Sequence, residues 1–266
     1  DWLSYLDFSN FQNYLRDVSD FKTDYLFHLG AMTDLELCEK HPEQTYINNT
    51  ESVKNAVEIS KKFNIPLLFI STAGIFDGKK DFYEDDDIPN PLCHYAKSKY
   101  KSEIIIENNI TNFLICRAGW MMGGGKRKDK KFVNKIINQI KGGSQILNIV
   151  NDKNGTPTYT HDFAQNVLLL IEKNIFGKFN LVCEGLTNRF EVAKEILKFY
   201  RLDNKVKINK VNSNFFNNEY FVKRPNSERL INKKLNEMSM NIMRDWKICL
   251  NEYLKDNYKN FLNENN

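Results

Sequence analysis

The chain has 266 residues, of which 41% are hydrophobic and 27% are charged. These values are close to the globular average, so they exclude collagen-like and disordered chains, and the length allows one large domain or two lobes. The net charge of +4 is spread along the chain and is too small to indicate nucleic-acid binding.

The cysteine usage indicates a reducing compartment. The five cysteines are widely scattered and include no Cys-x-x-Cys pair, so the sequence predicts neither a disulfide framework nor a zinc ribbon. The histidines show no ligand spacing for a metal. The apolar runs are far shorter than the roughly 20 residues that cross a bilayer, and no apolar leader opens the chain. We therefore expect a cytoplasmic protein without bound metal and without a membrane or nucleic-acid partner.

The first half of the chain alternates predicted strands and helices. Residues 25–31 and 65–72 are short apolar runs that end in small residues, which is typical of buried parallel strands. Between them, apolar residues at helical spacing predict a helix over 46–63. A helix over 95–108 and a strand over 112–116 follow. This order predicts a doubly wound, Rossmann-like α/β fold, with a parallel sheet covered by helices on both faces.

The second half is less regular. A Gly-rich bend at 123–125 precedes a basic run at 126–131, which we interpret as a solvated loop. Helices are predicted over 132–141, 162–173, 189–200 and 243–261, and a short strand over 177–183. We interpret residues 1–150 as the nucleotide-cofactor domain. Residues 151–266 are interpreted as a mixed region that completes the sheet and forms a smaller, C-terminal substrate-binding lobe.

The usual phosphate-binding turn is missing from the sequence. Nothing before Gly30 matches the Gly-rich strand-turn-helix that opens most nucleotide-binding doubly wound sheets. The sequence therefore predicts a sheet that is N-terminally incomplete and lacks its first βαβ portion. Two interpretations stay open: the sequence begins inside a longer protein, or this fold lacks its phosphate loop.

A tyrosine and a lysine four residues apart are the strongest candidates for catalytic chemistry. In the run from Tyr95 to Lys99, both side chains lie on one face of the predicted helix. Tyrosine, with a pKa near 10, is a poor acid-base catalyst at neutral pH unless a cation such as Lys99 stabilises its phenolate. Ser71 and Thr72 end the preceding strand at the edge where open α/β sheets bind ligands. A hydroxyl there is a candidate for polarising a substrate carbonyl.

Seven motifs follow one another along nearly the whole chain. They are HLGAMTDLELCEKHP at 28–42, the helix with Asn48, ISTAGIFDG at 70–78, the stretch from YEDD to HYAKSK at 83–99, CRAGWMMG at 116–123, GTPTYTHDFA at 155–164 and KRPNSERL at 223–230. In this order they resemble the extended short-chain dehydrogenase/reductases that act on nucleotide sugars, and most closely the dTDP-4-dehydrorhamnose reductase family.

The resemblance implies NAD(P)H-dependent reduction of the 4-keto group of a nucleotide-activated 6-deoxysugar, as in dTDP-rhamnose and polysaccharide biosynthesis. It implies that Tyr95 is the general acid, that Lys99 lowers its pKa and holds the nicotinamide ribose, and that Thr72 contacts the substrate carbonyl. The cofactor-binding positions that it implies are Asp7, Phe8, Leu29, Gly30, Ala31, Thr33, Asn48, Ser71, Tyr95, Lys99, Ala118 and Gly119. A homodimer is a further expectation.

On the substrate side, the resemblance implies contacts from Thr72, Ala73, Trp120 and Arg224. A bulky nucleotide sugar needs a second wall beyond the sheet edge. We therefore expect Trp120 and Arg224 to face a cleft opposite Thr72 and Tyr95, on a lobe built mainly from residues after 117. A guanidinium fork also suits a diphosphate.

The residues after Thr72 depart from the family pattern. Ala73 and Gly74 stand where the related reductases have Asp-Tyr, so a sugar-facing tyrosine is missing and the substrate is expected to differ. Dehydration is disfavoured, because neither residue supplies the second acid and base that elimination needs. Epimerisation by the same Tyr and Lys stays open. So does a non-catalytic binding or regulatory protein that retains the reductase fold.

Overall fold

The structure, a computed structural model, describes residues 7–259. The helices are α1 (Phe11–Phe21), α2 (Leu35–Lys40), α3 (Pro42–Tyr46), α4 (Ser52–Phe63), α5 (His94–Asn109), α6 (Gly125–Lys128), α7 (Phe132–Lys141), α8 (Thr160–Glu172), α9 (Arg189–Phe199), α10 (Lys233–Glu237) and α11 (Trp246–Tyr258). A π-helical turn (Ile47–Glu51) joins α3 to α4, and 3₁₀ turns lie at Ala73–Ile75 and Ser213–Phe216.

The strands are short. They are β1 (Leu26–His28), β2 (Leu67–Thr72), β3 (Phe113–Ala118), β4 (Trp120–Met122), β5 (Ile146–Val150), β6 (Asn154–Gly155), β7 (Pro157–Tyr159), β8 (Gly177–Asn180), β9 (Thr187–Asn188), β10 (Lys207–Val211) and β11 (Ser227–Glu228). The predicted strands at 25–31, 65–72 and 177–183 contain β1, β2 and β8, whereas the strand predicted at 112–116 ends two residues before β3 does.

A four-stranded parallel sheet in the order β1-β2-β3-β8 forms the centre of the fold. Leu26 pairs with Leu67, Leu67 pairs with Phe113, and Leu114 pairs with Gly177. Side chains of β3 alternate between two apolar clusters. Leu114 packs in the cluster that includes residues of α7, α8 and α11, whereas Ile115 packs with residues of α1 and α4. The prediction of a doubly wound parallel sheet is thus confirmed.

Helix α1 was not predicted from the sequence. Asn10 caps it by accepting a hydrogen bond from the Asn13 backbone N–H at 3.1 Å. Its inner face buries Tyr14 and Val18, and the Tyr14 hydroxyl lies 3.1 Å from Nδ1 of the buried His28. Burial holds the pKa of His28 far below its usual range, at about 3, so this histidine is a neutral core group.

The second half adds small sheets that build a wall beside the central sheet. β4 pairs with β7, β5 with β10, and β6 pairs with both β9 and β11. The strand β8 also comes from this half and completes the central sheet. The division into regions 1–150 and 151–266 stays a prediction.

A buried ion pair joins the sheet to helix α5. The Arg117 guanidinium donates to both carboxylate oxygens of Glu103, at 3.0 and 2.7 Å, and both side chains are fully buried. It also donates to the Asp85 backbone carbonyl at 2.8 Å. Each of the three guanidinium nitrogens therefore donates a hydrogen bond. These bonds connect β3 to α5 and to the loop that contains Asp85.

Three observations bear on the expected environment. All five cysteines are buried free thiols. No helix within residues 7–259 is both long enough and apolar enough to cross a membrane. In the same part of the chain, His, Cys, Asp and Glu side chains form no group of three that could hold a metal ion.

Candidate active site

The carboxyl edge of β2 brings together the residues that the sequence singled out. Thr72 ends β2, and Tyr95 lies in the first turn of α5, where its phenol forms a hydrogen bond with the Thr72 hydroxyl. The Gly74 backbone N–H donates to Thr72 Oγ1 at 3.1 Å. This bond uses one lone pair of the Thr72 hydroxyl, whose single O–H proton lies beside the Tyr95 phenol.

The phenol of Tyr95 is held in its protonated form. Burial raises the pKa of Tyr95 well above its usual value; the hydrogen bond with Thr72 lowers it, and the nearby Glu228 carboxylate raises it. The group is therefore a proton donor at neutral pH. The expectation that Lys99 lowers this pKa stays a prediction.

Lys99 is an ammonium group in an apolar setting. It lies one turn after Tyr95 on α5, is only 4% exposed, and has its Nζ 3.9 Å from the centroid of the Phe69 ring. Burial lowers the pKa of Lys99 from 10.5 to about 7, and the charge of Glu103 opposes this shift. Within residues 7–259 no carboxylate forms an ion pair with Lys99, so its N–H donors are available to a ligand.

Lys99→Met is expected to stabilise the fold while impairing function. A lowered lysine pKa destabilises the folded state below the unfolded pKa of about 10.4, and the penalty reaches its full size below the folded pKa of about 7. Since one pKa unit corresponds to about 1.4 kcal/mol, we expect a gain of about 2–5 kcal/mol at pH 6 that shrinks as the pH rises towards 10. Urea unfolding at pH 6 and pH 9.5 measures it. A gain independent of pH would contradict the assignment of a lowered pKa to Lys99.

The cofactor positions expected after β1 line the next part of the sheet edge. Leu29, Gly30, Ala31 and Thr33 follow this strand directly. The Phe8 ring packs so closely on Gly30 that a Cβ there would lie 2.1 Å from it. The structure thus joins the segment at Phe8 to this edge, and only glycine fits at position 30.

Asp7, Ser71 and Ala118 occupy distinct places around this edge. The Asp7 carboxylate accepts from the Ser9 N–H at 3.0 Å and from its hydroxyl at 2.6 Å, and these hydrogen bonds lower the pKa of Asp7. Ala118 ends β3 and pairs with Thr72 in the sheet register. The Ser71 hydroxyl is buried and has no hydrogen-bond partner among the described residues. Such an orphaned polar atom is expected where a ligand supplies the partner.

Asn48 and its neighbour Asn49 differ in what they contact. Asn48 accepts a hydrogen bond from Gln44 Nε2 at 3.1 Å. Asn49 is buried; it accepts from the Met32 N–H at 2.7 Å and donates to the Met32 carbonyl at 3.0 Å and to Ser98 Oγ at 3.1 Å. Asn49 therefore ties the loop after β1 to the helix of Tyr95, which the sequence reasoning missed.

Gly119 and Ala73 act through packing. A Cβ on Gly119 would lie 2.1 Å from the Thr156 carbonyl oxygen, so the close approach of this strand requires glycine. Ala73 is buried in an apolar cluster with Ile75 and Phe76. The next residue, Gly74, lies close to Thr72 and Glu228, since a Cβ there would be 3.4 Å from Thr72 Oγ1 and 3.3 Å from Glu228 Oε1.

Trp120 forms part of the opposite wall. Its ring packs on Gly155, where a Cβ would lie 2.2 Å from the indole, and its Nε1–H donates to Glu228 Oε2 at 2.8 Å. The guanidinium of Arg189 stacks on the other side, 3.8 Å from the ring centroid. Burial lowers the pKa of Arg189 to about 10, and the charge of Glu228 opposes this shift.

Arg224 lies on the same side of the molecule as Tyr95. It follows Val222, which belongs to a small apolar cluster with Cys93 and Ala96, against which Tyr95 packs. Its guanidinium forms an ion pair with Glu36 of α2 at 2.7 Å and donates to the Val222 carbonyl at 3.1 Å. Arg224 thus lies near Tyr95 along the chain's fold and is paired with Glu36, and its place in a substrate cleft stays a prediction.

Arg189 and Glu228 were not predicted as site residues. Arg189 is the first residue of α9, and Glu228 lies inside the KRPNSERL motif. The two-residue strands β6, β9 and β11 bring them together from distant parts of the chain. The sequence held one signal for Glu228, since it is a charged residue within the KRPNSERL motif.

Comparison with known proteins gives consistent similarities. Residues 3–259 match the family model described as RmlD substrate binding domain. The dTDP-4-dehydrorhamnose reductase of Aggregatibacter actinomycetemcomitans is 30% identical over 176 residues, which cover 66% of this chain and 58% of that protein. The match thus spans less than two thirds of that relative's length.

Two solved structures superpose on most of the chain. A dTDP-4-dehydrorhamnose reductase from Yersinia enterocolitica shows 32% identity and a TM-score of 0.87, covering 94% of this chain and 87% of that chain. A dTDP-4-dehydrorhamnose reductase from Bacillus anthracis, solved in complex with NADP, shows 24% identity and the same TM-score of 0.87, with coverage of 94% and 87%.

Proposed function

Since this chain belongs to the RmlD substrate binding domain family, we propose that it is an NAD(P)H-dependent oxidoreductase that reduces the 4-keto group of a nucleotide-activated 6-deoxysugar. The observation that carries the proposal is the pair of hydroxyls at the end of β2. A protonated phenol at Tyr95 and a threonine O–H at Thr72 meet at one point of the sheet edge. Two such donors suit a carbonyl oxygen that gains negative charge.

The residues present fit a nicotinamide cofactor. The unpartnered Ser71 hydroxyl and the unpaired Lys99 ammonium lie at the edge where doubly wound sheets bind nucleotides. Both suit the hydroxyl-rich ribose and amide of a nicotinamide nucleotide. When bound, the cofactor supplies the hydride that reduces the carbonyl carbon.

The chain's own residues supply binding and the proton. Thr72 donates a hydrogen bond to the carbonyl oxygen, and the Tyr95 O–H delivers its proton to the same oxygen as negative charge develops there. The Lys99 ammonium, one helical turn away, stabilises the resulting phenolate and donates to the ribose. The apolar surroundings strengthen these interactions because they exclude water.

Cofactor oxidation tests this proposal. The full-length protein is incubated with NADPH or NADH and a panel of dTDP- and UDP-linked 4-keto-6-deoxysugars, and the loss of absorbance of the reduced nicotinamide is followed. We expect oxidation in proportion to the keto sugar added. No oxidation with any member of the panel would contradict the reductase function.

Arg224→Lys is expected to raise KM for the sugar nucleotide about tenfold, a loss of roughly 1.4 kcal/mol of binding, with little change for the cofactor. The reason is that a planar fork binds both the Glu36 carboxylate and a diphosphate in a way that a single ammonium does not. Steady-state kinetics measure the effect. The same exchange on the exposed face of α1, Arg16→Lys, is the control. An unchanged KM in Arg224→Lys would remove Arg224 from the substrate site.

A further inference from the structure

A free carboxylate oxygen faces the space beside Thr72. Glu228 lies on β11, and its Oε2 accepts the hydrogen bond from Trp120 Nε1 at 2.8 Å. Its other oxygen, Oε1, accepts no hydrogen bond from any residue within 7–259. This oxygen is therefore an acceptor without a donor at the wall opposite the catalytic hydroxyls.

Glu228 Oε1 and Thr72 Oγ1 both lie close to Gly74. A Cβ built on Gly74 would lie 3.3 Å from Glu228 Oε1 and 3.4 Å from Thr72 Oγ1. Both oxygens thus border the space that a side chain at position 74 would fill. A substrate group bound next to Gly74 would lie near the Thr72 hydroxyl and the Glu228 carboxylate at the same time.

The charges around Glu228 indicate what kind of group it binds. Its charge raises the pKa of Arg189 and of Lys153, which shows that both cations lie within electrostatic reach of the carboxylate. The negative charge of Glu228 is therefore already partly compensated by these two cations. A cationic amino substituent would add positive charge to this cluster, whereas a neutral hydroxyl donates a hydrogen bond without doing so.

We propose that Glu228 determines which sugar is reduced, by accepting a hydrogen bond from the hydroxyl on the carbon next to the reacting carbonyl. In a 4-keto-6-deoxysugar the two neighbours of the carbonyl are C3, which carries a hydroxyl, and C5, which carries a methyl group. Only the C3 hydroxyl is a donor. The inference rests on the proposed reductase function and adds to it one residue that determines specificity, Glu228.

A purely structural role for Glu228 makes a different prediction. If the carboxylate only orients Trp120, its removal impairs all substrates of the cleft alike. If Oε1 binds the C3 hydroxyl, removal impairs the hydroxylated substrate and spares the analogue that lacks it, because a site built to bind a hydroxyl discriminates against its absence. The ratio of two kcat/KM values therefore separates the two roles.

The experiment compares dTDP-4-keto-6-deoxyglucose with its 3-deoxy analogue. We expect the wild-type protein to prefer the hydroxylated substrate by a factor of about 10² or more in kcat/KM. Glu228→Ala is expected to reduce this preference at least about tenfold, almost wholly through the hydroxylated substrate. Glu228→Gln keeps an acceptor oxygen, so its preference for the hydroxylated substrate is expected to lie between those of the wild-type protein and Glu228→Ala. The control Trp120→Phe removes the donor of the hydrogen bond to Glu228. It is expected to lower kcat/KM for both substrates by a similar factor.

Each outcome decides the inference. If Glu228→Ala lowers kcat/KM equally for both substrates, Glu228 positions Trp120 and the specificity role is overturned. A wild-type protein that turns over both substrates equally well overturns the inference and leaves the reductase function standing. Absence of turnover with every keto sugar refutes the reductase function and the inference with it. Because Glu228→Gln keeps the shape of the side chain, it carries the test if Glu228→Ala does not fold, with thermal unfolding and cofactor binding as the checks.

Discussion

Tyr95→Phe is expected to lower kcat by a factor of about 10² or more, which is the range for loss of a positioned general acid. The substitution removes one oxygen from a partly buried side chain and leaves the packing against Cys93 and Ala96 in place. Thr72 and Lys99, the groups proposed to bind the carbonyl and the ribose, are left unchanged. The Kd for the nicotinamide cofactor is therefore expected to change little, and the loss falls on the chemical step.

Single-turnover kinetics with a keto sugar, together with cofactor titration, measure this split. Tyr100→Phe, the same exchange one turn further along α5, is the matched control and should retain activity. A Tyr95→Phe protein with full turnover would refute the assignment of Tyr95 as the acid, even though the family would stand. A large increase in the cofactor Kd would instead assign the phenol to binding.

Glu103→Ala is expected to lower the free energy of unfolding by about 3–5 kcal/mol, because it leaves the guanidinium of Arg117 buried without its counter-charge. Both side chains of this pair are fully buried, so water cannot replace the lost partner. The remaining bond to the Asp85 carbonyl does not compensate a charge. Urea unfolding, followed by circular dichroism, gives the change.

The double variant Arg117→Met with Glu103→Leu is the control, since replacing a buried ion pair by apolar side chains of similar size is often neutral or stabilising. We expect it to be more stable than Glu103→Ala. A Glu103→Ala protein as stable as the wild type would show that the pair contributes no net stability. A double variant as unstable as the single one would show that the cost comes from lost packing.

The parts of the fold that follow from local patterns could be predicted. Strands such as β2 and β3 are continuous apolar runs because both their faces are buried, and α7 was predicted with the bounds that the structure shows. The relative placement of the candidate pair Tyr95 and Lys99 could also be predicted, since a spacing of four residues puts both on one face of α5. Helix α1 was missed although Phe11, Tyr14, Leu15 and Val18 follow helical spacing and pack on one apolar cluster.

The remaining site residues depend on geometry that no local pattern carries. The π-helical turn at Ile47–Glu51 rotates the chain relative to a regular helix, so the buried asparagine is Asn49 rather than Asn48. Glu228 and Arg189 reach the cleft through strands of two residues, which are too short to leave a hydrophobic period. Their contacts with Trp120 and Gly74 depend on the three-dimensional structure and could not be predicted from the sequence.

Transfer of deuterium from labelled cofactor tests the central claim most directly. The full-length protein is incubated with NADPH or NADH that carries deuterium at both C4 positions of the nicotinamide and with a dTDP-4-keto-6-deoxysugar, and the product is analysed by mass spectrometry and NMR. The reductase function requires one deuterium on the former carbonyl carbon for each cofactor oxidised. A sugar changed in configuration without deuterium and without net cofactor oxidation would show an epimerase, and an unchanged sugar across the panel would show that the fold carries no reductase activity.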